Sequence, residues 1–242
     1  MEAKDRIICA IDVESTELAL QRVTQLKDHV GVFKAGLELV TATGTEIFPK
    51  MREAGAGRIF YDAKLHDIPN TVAGAMKSVV RLGSWCVTVH ATGGSAMLQA
   101  AVKAAHETAQ SENCSRPLVF AVTVLTSISP GMLMNELFVG KNLSEYVAHL
   151  ACVAYEAGCD GVIASPHEIE IIRKTVSDPN FLVVTPGVRP AGADKGDQAR
   201  VMTPAEAIRR GANYLVIGRP ILAAPNPAEA AQAIADEISG AL

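Results

Sequence analysis

The chain has no C-x-x-C pair, no run of lysine or arginine, and no shift of composition along its 242 residues. Each absence closes off a class. Five cysteines, Cys9, Cys86, Cys114, Cys152 and Cys159, are an odd number without ligand-like spacing, which argues against both a disulfide framework and a zinc site. Reduced, mostly buried thiols are expected instead. A formal charge of −4 without a basic tract gives nucleic acid and anionic membranes no electrostatic handle, so neither is an expected partner. The first residues, Met1 to Arg6, carry acids and lead into only a short apolar run, so a signal peptide or membrane span is not expected and a cytoplasmic protein is. With 49% hydrophobic residues the chain can bury one sizeable core, and no composition change marks a boundary within residues 1–242. That leaves a small-molecule site as the default.

What is present is an alternation of short β-branched runs with longer amphipathic stretches, the pattern of repeated βα units. Eight strands are predicted: Arg6 to Ile11, Val32 to Ala35, Arg58 to Asp62, Trp85 to His90, Leu118 to Val124, Gly161 to Ala164, Phe181 to Thr185 and Tyr214 to Ile217. Helical periodicity follows them. Ser15 is placed to cap a helix running to Lys27, and Ser144 to repeat the device for a helix running to Glu156. Several strands are apolar on both faces, as a parallel sheet covered by helices requires. Eight units in this length predict a single-domain (β/α)8 TIM barrel better than a doubly wound sheet with a second domain.

A barrel collects its active site at the C-terminal ends of the strands. There the sequence turns polar: Asp12 after strand one, Lys34 at strand two, Asp62 and Lys64 at strand three, His90 at strand four. Alternation puts Asp62 and Lys64 on one face of their strand, with Asp67 in the following turn. An ordinary exposed ion pair is worth only about 0–1 kcal/mol and needs no function. Two acids and two lysines gathered from adjacent strands are harder to explain by packing, because any of them left alone in a partly buried site would be costly.

The far side of the barrel offers an anion site. Strand seven runs into Thr185-Pro-Gly-Val-Arg189, and strand eight ends at Val216-Ile-Gly-Arg219, the places where this fold habitually holds phosphate. Gly218 permits close backbone approach, and Arg189 or Arg219 offers a planar fork of donors. A solvated arginine in a C-terminal turn is the structural alternative. The intervening loop, Pro190 to Arg200, is too long and too polar for a simple connection and is expected to be a lid that orders over ligand.

Four segments together resemble the orotidine 5′-phosphate decarboxylase family in order and spacing: Asp62-Ala-Lys-Leu-His-Asp-Ile-Pro-Asn-Thr71, Val124-Leu-Thr-Ser-Ile128, Thr185-Pro-Gly-Val-Arg189 and Val216-Ile-Gly-Arg219. The resemblance covers the whole chain. It implies decarboxylation of orotidine 5′-monophosphate to uridine 5′-monophosphate in pyrimidine biosynthesis, with no cofactor and no metal. It also implies a catalytic charge network of Lys34, Asp62, Lys64 and Asp67, in which Lys64 stabilises and protonates the C6 carbanion. Asp67 and Thr71 would serve the neighbouring subunit's site, so a homodimer with shared sites is implied. Asp12 and Lys34 would bind the ribose hydroxyls with Asp62 beside the substrate, Thr126 and Ser127 the pyrimidine edge, and Arg189, Gln198, Gly218 and Arg219 the phosphate. Ala63, where a larger aliphatic residue is common in the family, departs from the pattern on the side away from the charges.

The main alternative is a magnesium-dependent sugar-phosphate decarboxylase or aldolase of the same superfamily. Such enzymes carry an acid for the metal at the end of strand two, where this chain has Lys34, and an ammonium there repels a divalent cation. A Schiff-base aldolase needs a free amine, which flanking acids at Asp62 and Asp67 disfavour on Lys64. A non-catalytic binding protein would have no need of Lys64. Of the remaining conspicuous residues, His90 is expected to line the pocket floor, Trp85 to pack in the core, and Met132 and Met134 to form the wall behind Thr126. His66 and His90 lack the companions of a metal set.

Overall fold

The structure, a computed structural model, describes residues 1–190 and 202–242. Eight strands, β1 (Ile7–Ala10), β2 (Val32–Gly36), β3 (Ile59–Leu65), β4 (Cys86–His90), β5 (Leu118–Val122), β6 (Gly161–Ile163), β7 (Leu182–Pro186) and β8 (Tyr214–Ile217), pair in parallel in chain order. The sheet closes where β8 meets β1, giving the (β/α)8 barrel that the alternation predicts. Every expected strand is present with ends moved by at most two residues, except that β3 runs three residues further, to Leu65.

The helices between them are α1 (Thr16–Leu26), α2 (Leu37–Thr43), α3 (Ile47–Glu53), α4 (Pro69–Arg81), α5 (Gly94–Ser111), α6 (Pro130–Asn135), α7 (Leu143–Glu156), α8 (Ile169–Thr175), α9 (Pro204–Arg209), α10 (Arg219–Leu222) and α11 (Pro227–Ser239). Their starts follow local chemistry. Ser15 caps α1 by accepting from the Leu18 N–H, as expected, and Pro69 opens α4, where a missing N–H costs nothing. α7 departs from expectation: Asn142, not Ser144, is the cap, its side chain accepting from the Glu145 N–H at 2.9 Å. An Asn two residues earlier outcompetes the Ser because its extended backbone lets the amide oxygen reach back over the first turn. No helix among the described residues is long and apolar enough to cross a membrane.

Two-residue alternation divides the strands between two cores. Ile7, Cys9 and Ile11 face the helices, as do Phe33 and Ala35, and Val87 and Val89. Ile8, Val32, Phe60, Cys86, Phe120, Val184 and Tyr214 face inward and fill the barrel. Each fully buried phenylalanine or branched aliphatic side chain contributes about 1.5–3 kcal/mol through apolar area removed from water. Trp85 closes the N-terminal end in edge contact with Tyr214 at 5.1 Å between ring centres, under the Arg58 guanidinium at 5.2 Å. Its expected packing role stands.

The same alternation sets up the site. The inward positions that hold Val32, Phe60 and Cys86 in the core are followed, two residues on, by Lys34, Asp62 and Thr88. Polar groups therefore replace apolar ones one layer nearer the C-terminal ends. Three of the five cysteines, Cys9, Cys86 and Cys159, are buried and all five are unpaired. Burial, reinforced by neighbouring Asp12, pushes the Cys9 thiol up to about 12, and burial beside Asp160 does the same to Cys159.

Candidate active site

A cavity of about 360 Å³ opens at the C-terminal ends of the strands. Apolar side chains from the barrel interior, Phe60, Val122, Ile163 and Val216, line its inner part. Asp12, Lys34, Asp62 and Lys64 line one side, while Arg189, Gly218 and Arg219 come from the loops after β7 and β8. Val124, Leu125 and Thr126 follow β5. The two constellations read separately from the sequence thus share one cavity.

The charged side is an alternating chain. Lys34 donates to Asp12 Oδ1 at 2.8 Å, its ammonium lies 3.7 Å from Asp62 Oδ2, and Lys64 donates to that same oxygen at 2.7 Å. Opposite signs next to one another offset the loss of water that burial imposes. The two lysines are not equivalent: the Lys34 side chain is 9% exposed and locked between two carboxylates, whereas that of Lys64 is 29% exposed. Lys64 is the ammonium open to a ligand.

Within one subunit the fourth member of this chain is Asp12, and Asp67, expected to serve the neighbouring subunit's site, stands apart from it. Asp67 is exposed on the loop after β3, where its carboxylate accepts from the Ile68 N–H at 2.6 Å, and Thr71 is exposed one turn further along. Neither lines the cavity, and neither does Ser127, which is exposed beside Thr126. Gln198 and most of the expected lid lie outside the described residues.

Three structural expectations need correction. His90 does not line the cavity; it is half-buried against His66, with 5.2 Å between ring centres. Burial first, then His66 and Lys64, hold its imidazole below the usual histidine range, so the neutral form is favoured there. Met132 and Met134 are exposed on α6, and Val124 and Leu125 stand in the wall assigned to them. Finally, Asp62 and Lys64 do not share a face through plain alternation. Tyr61 pairs with Val87 but Leu65 pairs with Val89, so β3 bulges opposite β4, and Lys64 has φ +49°.

Two residues escaped the sequence reading. Gly36 ends β2 so close to the network that a Cβ there would sit 2.6 Å from the Lys34 ammonium and 3.5 Å from Asp12. Its backbone is otherwise ordinary, φ −103°, so the demand is for space alone. We expect Gly36→Ala to lower kcat/KM by about 10²-fold through displacement of a charged group, while the fold loses about 1 kcal/mol at this helix cap, where Gly is preferred to Ala. Steady-state kinetics beside thermal unfolding checks this, and unchanged kcat/KM would show that the Lys34 position does not matter. The other missed residue is Thr88, whose inward parity beyond Cys86 was a readable signal.

Barrel, charged network and arginine-lined far wall define a (β/α)8 protein whose cavity, at the C-terminal ends of the strands, has the charges and size suited to a small anionic ligand. The family model for orotidine 5′-phosphate decarboxylase and its HUMPS relatives matches residues 5–234, and the chain belongs to that family. It is 54% identical over 238 residues to orotidine 5′-phosphate decarboxylase of Moorella thermoacetica, covering 98% of this chain and 94% of that protein. The counterpart in Heliobacterium modesticaldum is 46% identical over 242 residues, 100% of this chain and 99% of that protein. Among solved structures, orotidine 5′-phosphate decarboxylase from Lactobacillus acidophilus superposes with a TM-score of 0.84 at 37% identity, covering 96% of this chain and 98% of that one.

Proposed function

We propose that this chain decarboxylates orotidine 5′-monophosphate to uridine 5′-monophosphate as a carbon–carbon lyase of pyrimidine biosynthesis, with Lys64 as proton donor. The observation that carries the reading is the partly exposed Lys64 ammonium, anchored 2.7 Å from Asp62 in the same cavity as Arg189 and Arg219. One end of the cavity suits a reacting centre and the other a phosphate.

The bond from C6 of the pyrimidine to its carboxylate breaks, carbon dioxide leaves, and the electron pair stays on C6. No carbonyl can directly delocalise that pair. An ammonium beside C6 interacts more strongly with the localised carbanion than with the starting carboxylate, and this difference accelerates the step. Lys64 then gives its proton to C6 and regains one from solvent. Asp62 has a second effect, since two like charges about 4 Å apart at an effective dielectric near 20 repel by roughly 4 kcal/mol. Departure of neutral carbon dioxide relieves it. We rank this below the Lys64 effect, because ground-state repulsion is escaped by weaker binding or by protonation.

The remaining residues position the nucleotide. Asp12 and Lys34 hold the ribose hydroxyls, Thr126 and Ser127 the pyrimidine edge, and Arg189, Gly218 and Arg219 the phosphate with Gln198. Affinity at the phosphate is thereby converted into placement at C6. The working form is a homodimer in which Asp67 and Thr71 reach the partner's site. Their outward position supports this, as do the exposed apolar Leu37, Ile68, Met134 and Phe138, all on segments following strands at the same end of the barrel. A second subunit over this end would take these apolar side chains out of water. Unpaired thiols and a phosphorylated substrate fit a cytoplasmic enzyme with no nucleic-acid or membrane partner.

The reading is metal-independent because Lys34 stands, fixed between Asp12 and Asp62, where a divalent cation would need an acid. Among the described residues no group of three His, Cys, Asp or Glu side chains converges as a ligand set. Purified enzyme assayed for loss of the orotate chromophore should keep full activity in excess chelator. Activity restored only by magnesium would favour the sugar-phosphate branch instead.

A further inference from the structure

One fully buried hydroxyl outside the cavity lining ties together the backbone and the side chains of the charged network. Thr88 on β4 is 0% exposed and stands between Val87 and Val89, opposite the bulge in β3. Its Oγ1 accepts from the Lys64 backbone N–H at 2.9 Å and donates to Asp62 Oδ1 at 2.8 Å. The direction of both bonds is fixed, because an amide only donates and an ionised carboxylate only accepts.

We propose that Thr88 is a positioning residue for the decarboxylation, holding Lys64 and Asp62 in register through this single hydroxyl. The inference rests on the reading that Lys64 and Asp62 do the chemistry. Lys64 has a left-handed backbone, φ +49°, which is unfavourable for a side chain of this kind and persists only where surrounding contacts impose it. The bulge takes the Lys64 N–H out of the regular β3–β4 ladder, and Thr88 replaces the missing acceptor. The same hydroxyl fixes one oxygen of Asp62, leaving the other for Lys64. Backbone angle and counter-ion are thus both held by one group, which directs the ammonium to its place 2.7 Å from Asp62.

Thr88→Val keeps the shape and removes the hydroxyl; Thr88→Ser removes only the methyl, and Thr88→Ala removes the methyl and the hydroxyl, so the last two differ by the hydroxyl. Thr88→Val and Thr88→Ala should lower kcat by about 10²-fold, the scale of a displacement of about 1 Å, with KM changed less than about threefold. Affinity for uridine 5′-monophosphate should hold, and Thr88→Ser should recover most of kcat. A role confined to folding would instead make Ser and Ala equally defective, or lower the amount of folded enzyme with kcat per folded site unchanged. Either result overturns the proposal, as does a loss confined to KM. If Thr88→Val does not fold, the Ser and Ala pair decides. Lys64→Ala run in parallel separates the two readings: activity in that variant sinks the Lys64 chemistry, whereas an inactive Lys64→Ala beside a fully active Thr88→Ala sinks only the role of Thr88.

Discussion

Lys64→Ala should abolish turnover of orotidine 5′-monophosphate, lowering kcat by about 10⁴-fold or more. The substitution removes a placed proton donor, typically worth about 10²–10⁴-fold, together with the charge that faces the developing carbanion, worth about 10²–10³-fold for a comparable electrostatic group. Binding should survive. The product uridine 5′-monophosphate keeps its phosphate and ribose contacts and has no carboxylate at C6, so its affinity should stay within about an order of magnitude of the parent. The fold should survive too, since Asp62 retains Thr88 at 2.8 Å and Lys34 at 3.7 Å when the Lys64 ammonium is gone. Single-turnover kinetics with product-binding calorimetry checks both halves. Near-normal turnover in this variant would end the case for Lys64.

Asp67→Ala should be nearly as damaging, and its rescue is the more telling result. If each site draws Lys64 from one subunit and Asp67 from the other, an Asp67→Ala subunit paired with a Lys64→Ala subunit forms one intact site and one doubly defective site. Half of the dimers in an equal, freely exchanging mixture are hybrids, so about a quarter of the parent activity should appear where each variant alone is almost inactive. Mass spectrometry of the mixture establishes that subunits have exchanged. Exchange without recovery would place Asp67 in its own subunit's chemistry or in none. The expectation rests on geometry: Asp67 is exposed and outside the Asp12, Lys34, Asp62 and Lys64 chain, so its carboxylate is open to a neighbouring subunit.

The contrast between Asp62 and Asp67 shows what is legible in a linear sequence. Asp62 follows Phe60 by two residues on a strand, and strand parity is a local property, so its inward direction can be read without knowing the rest of the molecule. The same holds for Lys34 after Val32 and for Thr88 after Cys86, though a threonine draws less attention than a charge. Asp67 lies in a loop, where no period governs direction, and its exposure emerges only from the way β3 leaves the barrel. Lys64 falls between the two cases. Its nearness in sequence to Asp62 is plain, but the bulge and left-handed backbone that bring the two side chains together break the alternation and meet Thr88, 24 residues away. Met132 and Met134 illustrate the opposite error: apolar character suggests a cavity wall, yet α6 turns both outward.

By itself the sequence determined the eight alternating units, the barrel they close into, and the inward polar positions at the strand ends, because hydrophobic periodicity and parity act over a few residues. Its motifs also identified the family. Only the tertiary structure decided that Asp12 completes the charge chain within a subunit, that Gly36 leaves room for the Lys34 ammonium, and that Thr88 sets the backbone of Lys64. The first and last are contacts between residues 22 and 24 apart in sequence, brought together by the closure of the barrel, and the Gly36 contact, though local, depends on where the Lys34 ammonium is held by Asp12; no local period encodes them.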